Sequence, residues 1–251
     1  MSTHPSPPVV DRATWQKQLD DLRRREKEHT REGDAIASAR RRLPMVEVGS
    51  AAVLVGADGP VPLLEVFEGR SQLVVSYHMW HTGRSAADQC EGCTFFTGQV
   101  LELSYLHSRD VTFAVFCQGP FEESSRYRAF MGWQAPWYSV PEQSLDSLVA
   151  GRGFGMKACY LRSGDRVFET YWTAGRGVEP MAPSYGLLDM TVYGRQEGWE
   201  DSPDGWPQTF QTDGDQFRLN GRPTSQWTRL AAGHDDDLGA THPATGEHRC
   251  H

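Results

Sequence analysis

Between residues 46 and 171 the chain alternates short apolar runs with turn residues and with two stretches of helical period. Gln72 to Tyr77 and Asp110 to Phe116 are near-continuous apolar runs of strand length, which suits strands buried on both faces. Trp137 to Val140 predicts a shorter strand. Ala52–Val55 and Val61–Leu64 flank Gly56-Ala57-Asp58-Gly59, and Asp-Gly is a favoured turn dipeptide, so the segment from Val46 to Leu64 reads as a hairpin. A second hairpin is expected from Cys159–Arg162 and Val167–Tyr171 around Ser163-Gly164-Asp165. Helical spacing places Cys93, Phe96, Val100 and Leu103 on one stripe of a helix running from Cys90 to about His107. Phe121 to Met131 reads as another helix, with Arg126 and Arg128 on its polar side. Strands alternating with helices predict an α/β fold with a largely parallel sheet, the last hairpin adding antiparallel edge strands.

The flanking segments carry different patterns. Residues 1–11 are rich in Pro and Ser and read as disordered. Residues 12–43 form a charged helical arm, ended by Pro44, that suits either partner binding or a solvated helix packed on the body. The α/β core is expected over 44–200. Gly, Pro, Asp and Trp dominate 201–232, which reads as an irregular extension, and 233–251 as a disordered tail. That tail holds His242, His248, Cys250 and His251, a composition that can bind metal.

Composition narrows the function classes. The chain has 251 residues, 38% hydrophobic and 23% charged, as in water-soluble globular proteins. A formal charge of −8, with no basic, aromatic-interleaved patch, argues against a nucleic-acid partner. No apolar run reaches the roughly 20 residues of a membrane-spanning helix, and the first residues lack a secretory pattern, so no membrane is expected and the location is read as cytoplasmic. Five cysteines in such a chain do not make a disulfide scaffold; in a reducing compartment thiols are free, catalytic or metal-bound.

Cys90-Glu91-Gly92-Cys93 carries the chemistry. It follows a predicted buried strand and opens a predicted helix, where unpaired N–H groups and the helix dipole favour thiolate over thiol. Strand, Cys-x-x-Cys and helix together make the thioredoxin-type redox signal. Cys90, at the helix start, is the expected nucleophile and Cys93 the resolving thiol. Glu91 adds a negative charge that opposes the dipole. The expected reaction is dithiol–disulfide exchange with a small-molecule or protein disulfide, the electrons coming from a cellular dithiol reductant.

Several stretches resemble one family. They are Arg40 to Pro44; Gly59-Pro60 with Leu64; Phe67 to Leu73; Cys90 and Cys93; Arg109 to Phe113; Met131-Gly132-Trp133 with Pro136-Trp137; Phe168 with Thr170-Tyr171; Gly175-Arg176-Gly177; and Tyr185, Leu188-Asp189 and Tyr193-Gly194-Arg195. They are similar to uncharacterised thioredoxin-like proteins related to the alkyl hydroperoxide reductase and thiol-specific antioxidant group, from about Trp15 to Trp199. The resemblance implies a thioredoxin-like sheet flanked by helices and a dithiol–disulfide activity. It makes Tyr171, Arg176 and Tyr185 candidates for a substrate pocket or for a lock on the C-terminal segment. Trp137 is a candidate lining residue of the core or an adjacent groove. Arg84, in the loop before Cys90, is a candidate for polarising a peroxide, although that loop lacks the Pro and the close Thr of a peroxidatic cysteine.

Metal binding is the alternative. If the loop before the late hairpin packs on the Cys pair, Cys159 approaches Cys90 and Cys93, and His78 and His81 leave the preceding strand toward the same place. Soft sulfur with imidazole suits copper or zinc.

Overall fold

The computed structural model of the chain describes residues 5–49, 51–210, 215–219 and 222–226. The tail of 233–251, with His242, His248, Cys250 and His251, lies outside the described residues. The chain divides into two compact units, residues 1–44 with 202–207, and residues 45–201 with 208–251.

The first unit is dominated by helix α1 (Arg12–Arg40), close to the predicted arm. Asp11 caps it, accepting from the backbone N–H of Ala13 and Thr14 and from the Thr14 hydroxyl. Ion pairs such as Arg24–Asp21 line its surface, and none of its residues is buried. Apolar Trp15, Leu22 and Ile36 are too sparse among charged residues to make a core-facing stripe.

The second unit is a mixed α/β body. Its elements run β1 (Val46–Val48), β2 (Val53–Gly56), β3 (Gly59–Pro62), α2 (Leu63–Val66), β4 (Gln72–His78), α3 (Glu91–Gly98), α4 (Ser104–His107), β5 (Val111–Cys117), α5 (Phe121–Met131), β6 (Trp137–Ser139), α6 (Leu145–Leu148), β7 (Lys157–Ser163), β8 (Arg166–Thr173), α7 (Pro183–Asp189), β9 (Arg218–Leu219) and β10 (Arg222–Pro223). Eight strands form one sheet in the order β1-β8-β7-β4-β5-β6-β2-β3, flanked by helices.

The sheet is less parallel than its helix–strand alternation suggests. Only β4, β5 and β6 run parallel; every other pairing is antiparallel. The reason is local. Parallel neighbours need a crossover, and only β4 to β5 and β5 to β6 have helices between adjacent strands. The two hairpins, turning at Ala57-Asp58 and Gly164-Asp165, add antiparallel strands on either side. The β7–β8 hairpin is not an edge either, because Val46–Val48 pairs with β8 and covers it. That pairing takes Val46 out of the predicted first hairpin, while Leu63 and Leu64 turn into α2. The helix expected from Cys90 to His107 ends at Gly98, and a separate turn of helix resumes at Ser104.

Alternation along β4 and β5 sorts the core into two faces. Leu73, Val75 and Tyr77 with Ala114 and Phe116 join a cluster that includes Leu63, Phe67, Leu148 and Tyr160. Phe113, Val115 and Cys117 face the other way, into an aromatic cluster with Trp80, Tyr127, Phe130, Trp133 and Trp137. Ser76 and His78 take the alternate positions of β4 and are themselves buried. This second face positions the Cys pair.

Phe116 is fully buried, with edge contacts to Tyr77 at 5.5 Å and Tyr138 at 6.2 Å. Phe116→Ala is expected to lower the unfolding free energy by about 3–5 kcal/mol in a urea titration. Leu22→Ala, on a helix with no buried side chain, is expected to stay within about 0.5 kcal/mol of the parent.

Candidate functional site

The site lies where β4 hands over to α3. Cys90 is the N-cap of α3, and its sulfur accepts the Cys93 backbone N–H at 3.3 Å. The Cys93 sulfur accepts the Met79 N–H at 3.3 Å, just beyond the end of β4. Each sulfur therefore takes a backbone donor that the helix start or the strand end leaves over. Both cysteines are thiols and both are buried, Cys90 to 2% and Cys93 to 5% exposure.

The loop between strand and helix is fixed by buried polar side chains. Gln89 is fully buried and reads the loop backbone, accepting from His81 N and donating to His81 O at 2.9 Å and to Arg84 O at 3.2 Å. Glu123, in the first turn of α5, accepts from Trp80 Nε1 and from Gly83 N. The Trp80 ring lies so close over Gly119 that a Cβ there would fall 1.9 Å from it, so only glycine fits. The Thr94 hydroxyl donates to Cys90 O and meets the Tyr127 hydroxyl, each at 2.8 Å.

The C-terminal segment closes over the same helix. Phe217 packs on Phe95 and Phe96, with ring centroids 5.2 and 5.9 Å away, and faces Gly92 so closely that a Cβ there would sit 3.3 Å from its ring. Arg218 pairs with Glu91 at 3.3 Å and donates to Ala87 O. Gln226, fully buried, donates to Ala86 O and to the Tyr127 hydroxyl. Arg218 thus offsets the Glu91 charge that the motif alone sets against the helix dipole.

Two further groups sit beneath α3. Lys157 opens β7 opposite Ser76, is 6% exposed, and donates to Ser76 Oγ at 2.8 Å. Burial pulls its ammonium below the ordinary lysine range, and the sulfurs of Cys93 and then Cys90 push it back up. His78 is fully buried between the rings of Trp137 at 5.1 Å and Trp133 at 5.8 Å. Its Nδ1 meets Thr97 Oγ1 at 3.2 Å, while Nε2 has no hydrogen-bond partner. Burial first, then the Lys157 and His81 charges, pull it down to about 3. Desolvation also pushes the Cys117 thiol up to about 12, so Cys117 is packing at the end of β5.

The structure brings Cys90 and Cys93 together and disperses several other candidates. Cys159 is not in a loop facing the pair but inside β7, opposite Val74, one pleat back from Lys157 and away from the carboxyl end of β4. His81 lies in the loop and His78 in the aromatic core. Among the described residues no group of three or more His, Cys, Asp or Glu side chains could hold a metal ion. Trp137 is core, its Nε1 donating to Ser124 Oγ. Tyr171 pairs with Cys159 across the hairpin. Arg176 is exposed over Trp199 and paired with Glu179. Tyr185 lies under the Arg195 guanidinium at 4.0 Å, and Arg195 is held by Asp189 and Glu179. Arg176 and Tyr185 therefore lock the C-terminal part of the body, though Tyr185 also packs on Phe95 and Phe96 of α3. Arg84 stays in the loop, its carbonyl held by Gln89. Sequence reading missed Lys157, Tyr127 and Gln226. For Lys157 a signal existed: a lysine amid Met156, Ala158 and Tyr160, in a strand with too few polar positions for a solvent face.

A family described as "Bacterial protein of unknown function (DUF899)" matches residues 4–230. The chain, whose body is a mixed α/β fold, thus falls in a class of bacterial proteins of unknown function. It belongs to that family. Comparison with curated proteins gives no match. No helix among the described residues is long and apolar enough to cross a membrane.

The His78 value sets a pH dependence. An unfolded imidazole titrates near 6.5 and the folded one at about 3, so between these values the unfolded chain binds one more proton. Stability from neutral His78 is complete above that window and is lost as pH falls through it. Urea titrations are expected to show an acid-side slope steeper by up to about 1.4 kcal/mol per pH unit in the parent than in His78→Gln.

Proposed function

We propose that the protein is a dithiol–disulfide oxidoreductase of thioredoxin-like character that works through Cys90 and Cys93. The observation that carries this reading is the pair of thiols at the start of α3, the next helix after the buried strand β4 and the loop that follows it, each sulfur accepting a backbone N–H. Open α/β sheets bind their ligands beyond the carboxyl ends of their parallel strands, and the pair sits at that end of β4. A central parallel trio with an antiparallel hairpin beside it is compatible with a thioredoxin-like core carrying additional strands.

In the reaction, the Cys90 thiolate attacks one sulfur of a substrate disulfide. A bond forms between Cys90 Sγ and that sulfur, the substrate S–S bond breaks, and the departing thiolate takes the proton Cys90 gave up. Cys93 then attacks Cys90 Sγ, the mixed disulfide breaks, and the second substrate thiol leaves. The substrate gains two electrons, and the protein ends as the Cys90–Cys93 disulfide. A cellular dithiol returns those electrons. With both thiols nearly covered, small disulfides and flexible peptide segments suit the site better than folded surfaces.

Mild oxidation of the full chain is expected to leave Cys90 and Cys93 joined, read by differential alkylation and mass spectrometry, while Cys117 and Cys159 remain alkylatable after denaturation. Cys90→Ser is expected to slow reduction of an aromatic disulfide probe by about 100-fold or more. Retention of two alkylatable thiols at Cys90 and Cys93 after oxidation would remove the reading.

A further inference from the structure

A cavity of about 440 Å³ lies at the other end of α3 from the thiol pair. α3 gives its walls Phe95 and Gly98, and the end of α5 gives Met131 and Trp133. Gln99, Ser184 and Ser225 supply polar lining. The volume falls within the range of small-molecule sites, whose walls are mostly apolar with a few placed polar groups. Among the described residues no lining side chain is charged, and neither Cys90 nor Cys93 lines the cavity.

The polar groups of the lining are not equally matched. Gln99 and Ser184 satisfy one another: Gln99 Oε1 accepts from the Ser184 hydroxyl at 2.9 Å and from the Ser184 N–H at 3.2 Å, and Gln99 Nε2 donates back to that hydroxyl at 2.8 Å. Trp133 is different. It is 6% exposed and held in place, stacked on Trp137 at 5.7 Å and edge-on to Tyr127 at 5.6 Å. Arg128 Nε donates to its carbonyl at 3.2 Å. Trp80 donates its indole N–H to Glu123 and Trp137 donates its own to Ser124. The Trp133 N–H donates to no group among the described residues. A buried indole N–H ordinarily has an acceptor, and one left unmatched carries the cost of its desolvation. Gly98 keeps the space beside it open, since a Cβ there would lie 3.5 Å from Trp133 Nε1. The N–H thus borders the cavity where α3 carries no side chain.

We propose that this cavity binds an uncharged aromatic molecule carrying a carbonyl, its rings among Phe95, Met131 and Trp133 and its oxygen accepting the Trp133 indole N–H. Aromatic and thioether walls favour a flat π-system. An ionic ligand would lose its hydration with no opposite charge among the described lining residues to replace it. Ser225 Oγ, also buried without a partner among the described residues, gives the lining a second unmatched polar point. Because Trp133 is fixed by its ring neighbours, its N–H is aimed before the ligand arrives, which lowers the ordering cost of binding. The site is separate from the thiol pair and does not rest on the exchange chemistry.

The test compares fluorenone with fluorene, the same ring system without the carbonyl, by equilibrium dialysis against the full chain. Fluorenone is expected to bind saturably, one per chain, and about 3- to 10-fold more tightly than fluorene, as one hydrogen bond provides. Trp133→Phe keeps a ring in the cluster, removes the N–H and is expected to erase that preference. Gly98→Leu, at a helix position without positive φ, is expected to fill the cavity and abolish binding of both probes. Cys90→Ser is expected to bind fluorenone as the parent does, so the result stands apart from the fate of the exchange reading. Absence of saturable binding, equal binding of the two probes by the parent, or a preference kept in a folded Trp133→Phe overturns the proposal. Binding untouched by Gly98→Leu, or lost in Cys90→Ser, overturns it too. If Trp133→Phe does not fold, the parent's preference and Gly98→Leu still decide.

Discussion

The site depends on a mismatch of backbone hydrogen bonds at the junction of β4 and α3. The strand ends at His78 and the helix begins at Glu91, so N–H groups at both places lack the partner a continuing strand or helix would give. Two sulfurs accept two of them, Met79 N–H on Cys93 and Cys93 N–H on Cys90. Buried donors must be matched, and a sulfur that matches one is stabilised in its ionised form more than in its neutral form. The hydrogen-bond requirement of the fold and the thiol reactivity we propose rest on the same interaction.

The surrounding structure keeps that junction in place. Gln89 and Glu123 hold the loop, and Thr94 with Tyr127 ties the first turn of α3 to α5. Phe217, Arg218 and Gln226 seal the outer side through Gly92, Glu91 and Tyr127. Beneath, Lys157 and His78 occupy positions of the sheet face where an apolar side chain would otherwise serve. His78 is neutral because it is desolvated beside a cation, whereas Lys157 donates to the Ser76 hydroxyl. These polar groups in a tight aromatic cluster leave the pair little freedom of geometry, as the exchange we propose requires.

Much of this was legible in the sequence where pattern and local chemistry agree. The strands at Gln72 and Asp110, the helix at Phe121 and the hairpin around Gly164 follow from apolar runs and turn residues, and the structure has them within a residue or two. The Cys pair was legible because strand, motif and helix lie consecutively. Long-range pairing was not: nothing local tells Val46–Val48 to join β8, or β7 to run antiparallel beside β4. That pairing decides the site, because it sets Lys157 opposite Ser76 and draws Cys159 one pleat away. The docking of Gln226 on Tyr127 was equally hidden, since a glutamine in a Gly/Pro-rich stretch reads as solvated until its partners, far off in sequence, are known.

The central claim is that Cys90 and Cys93 form one reversible two-electron couple. It is tested most directly by equilibrating the full chain with graded dithiol and disulfide buffers and following tryptophan fluorescence, which Trp80, Trp133 and Trp137 in the cluster beside the site make sensitive. The account predicts a single transition that fits two electrons and vanishes in Cys93→Ser. A signal that does not change across the series, or a transition that survives in Cys93→Ser, would contradict it.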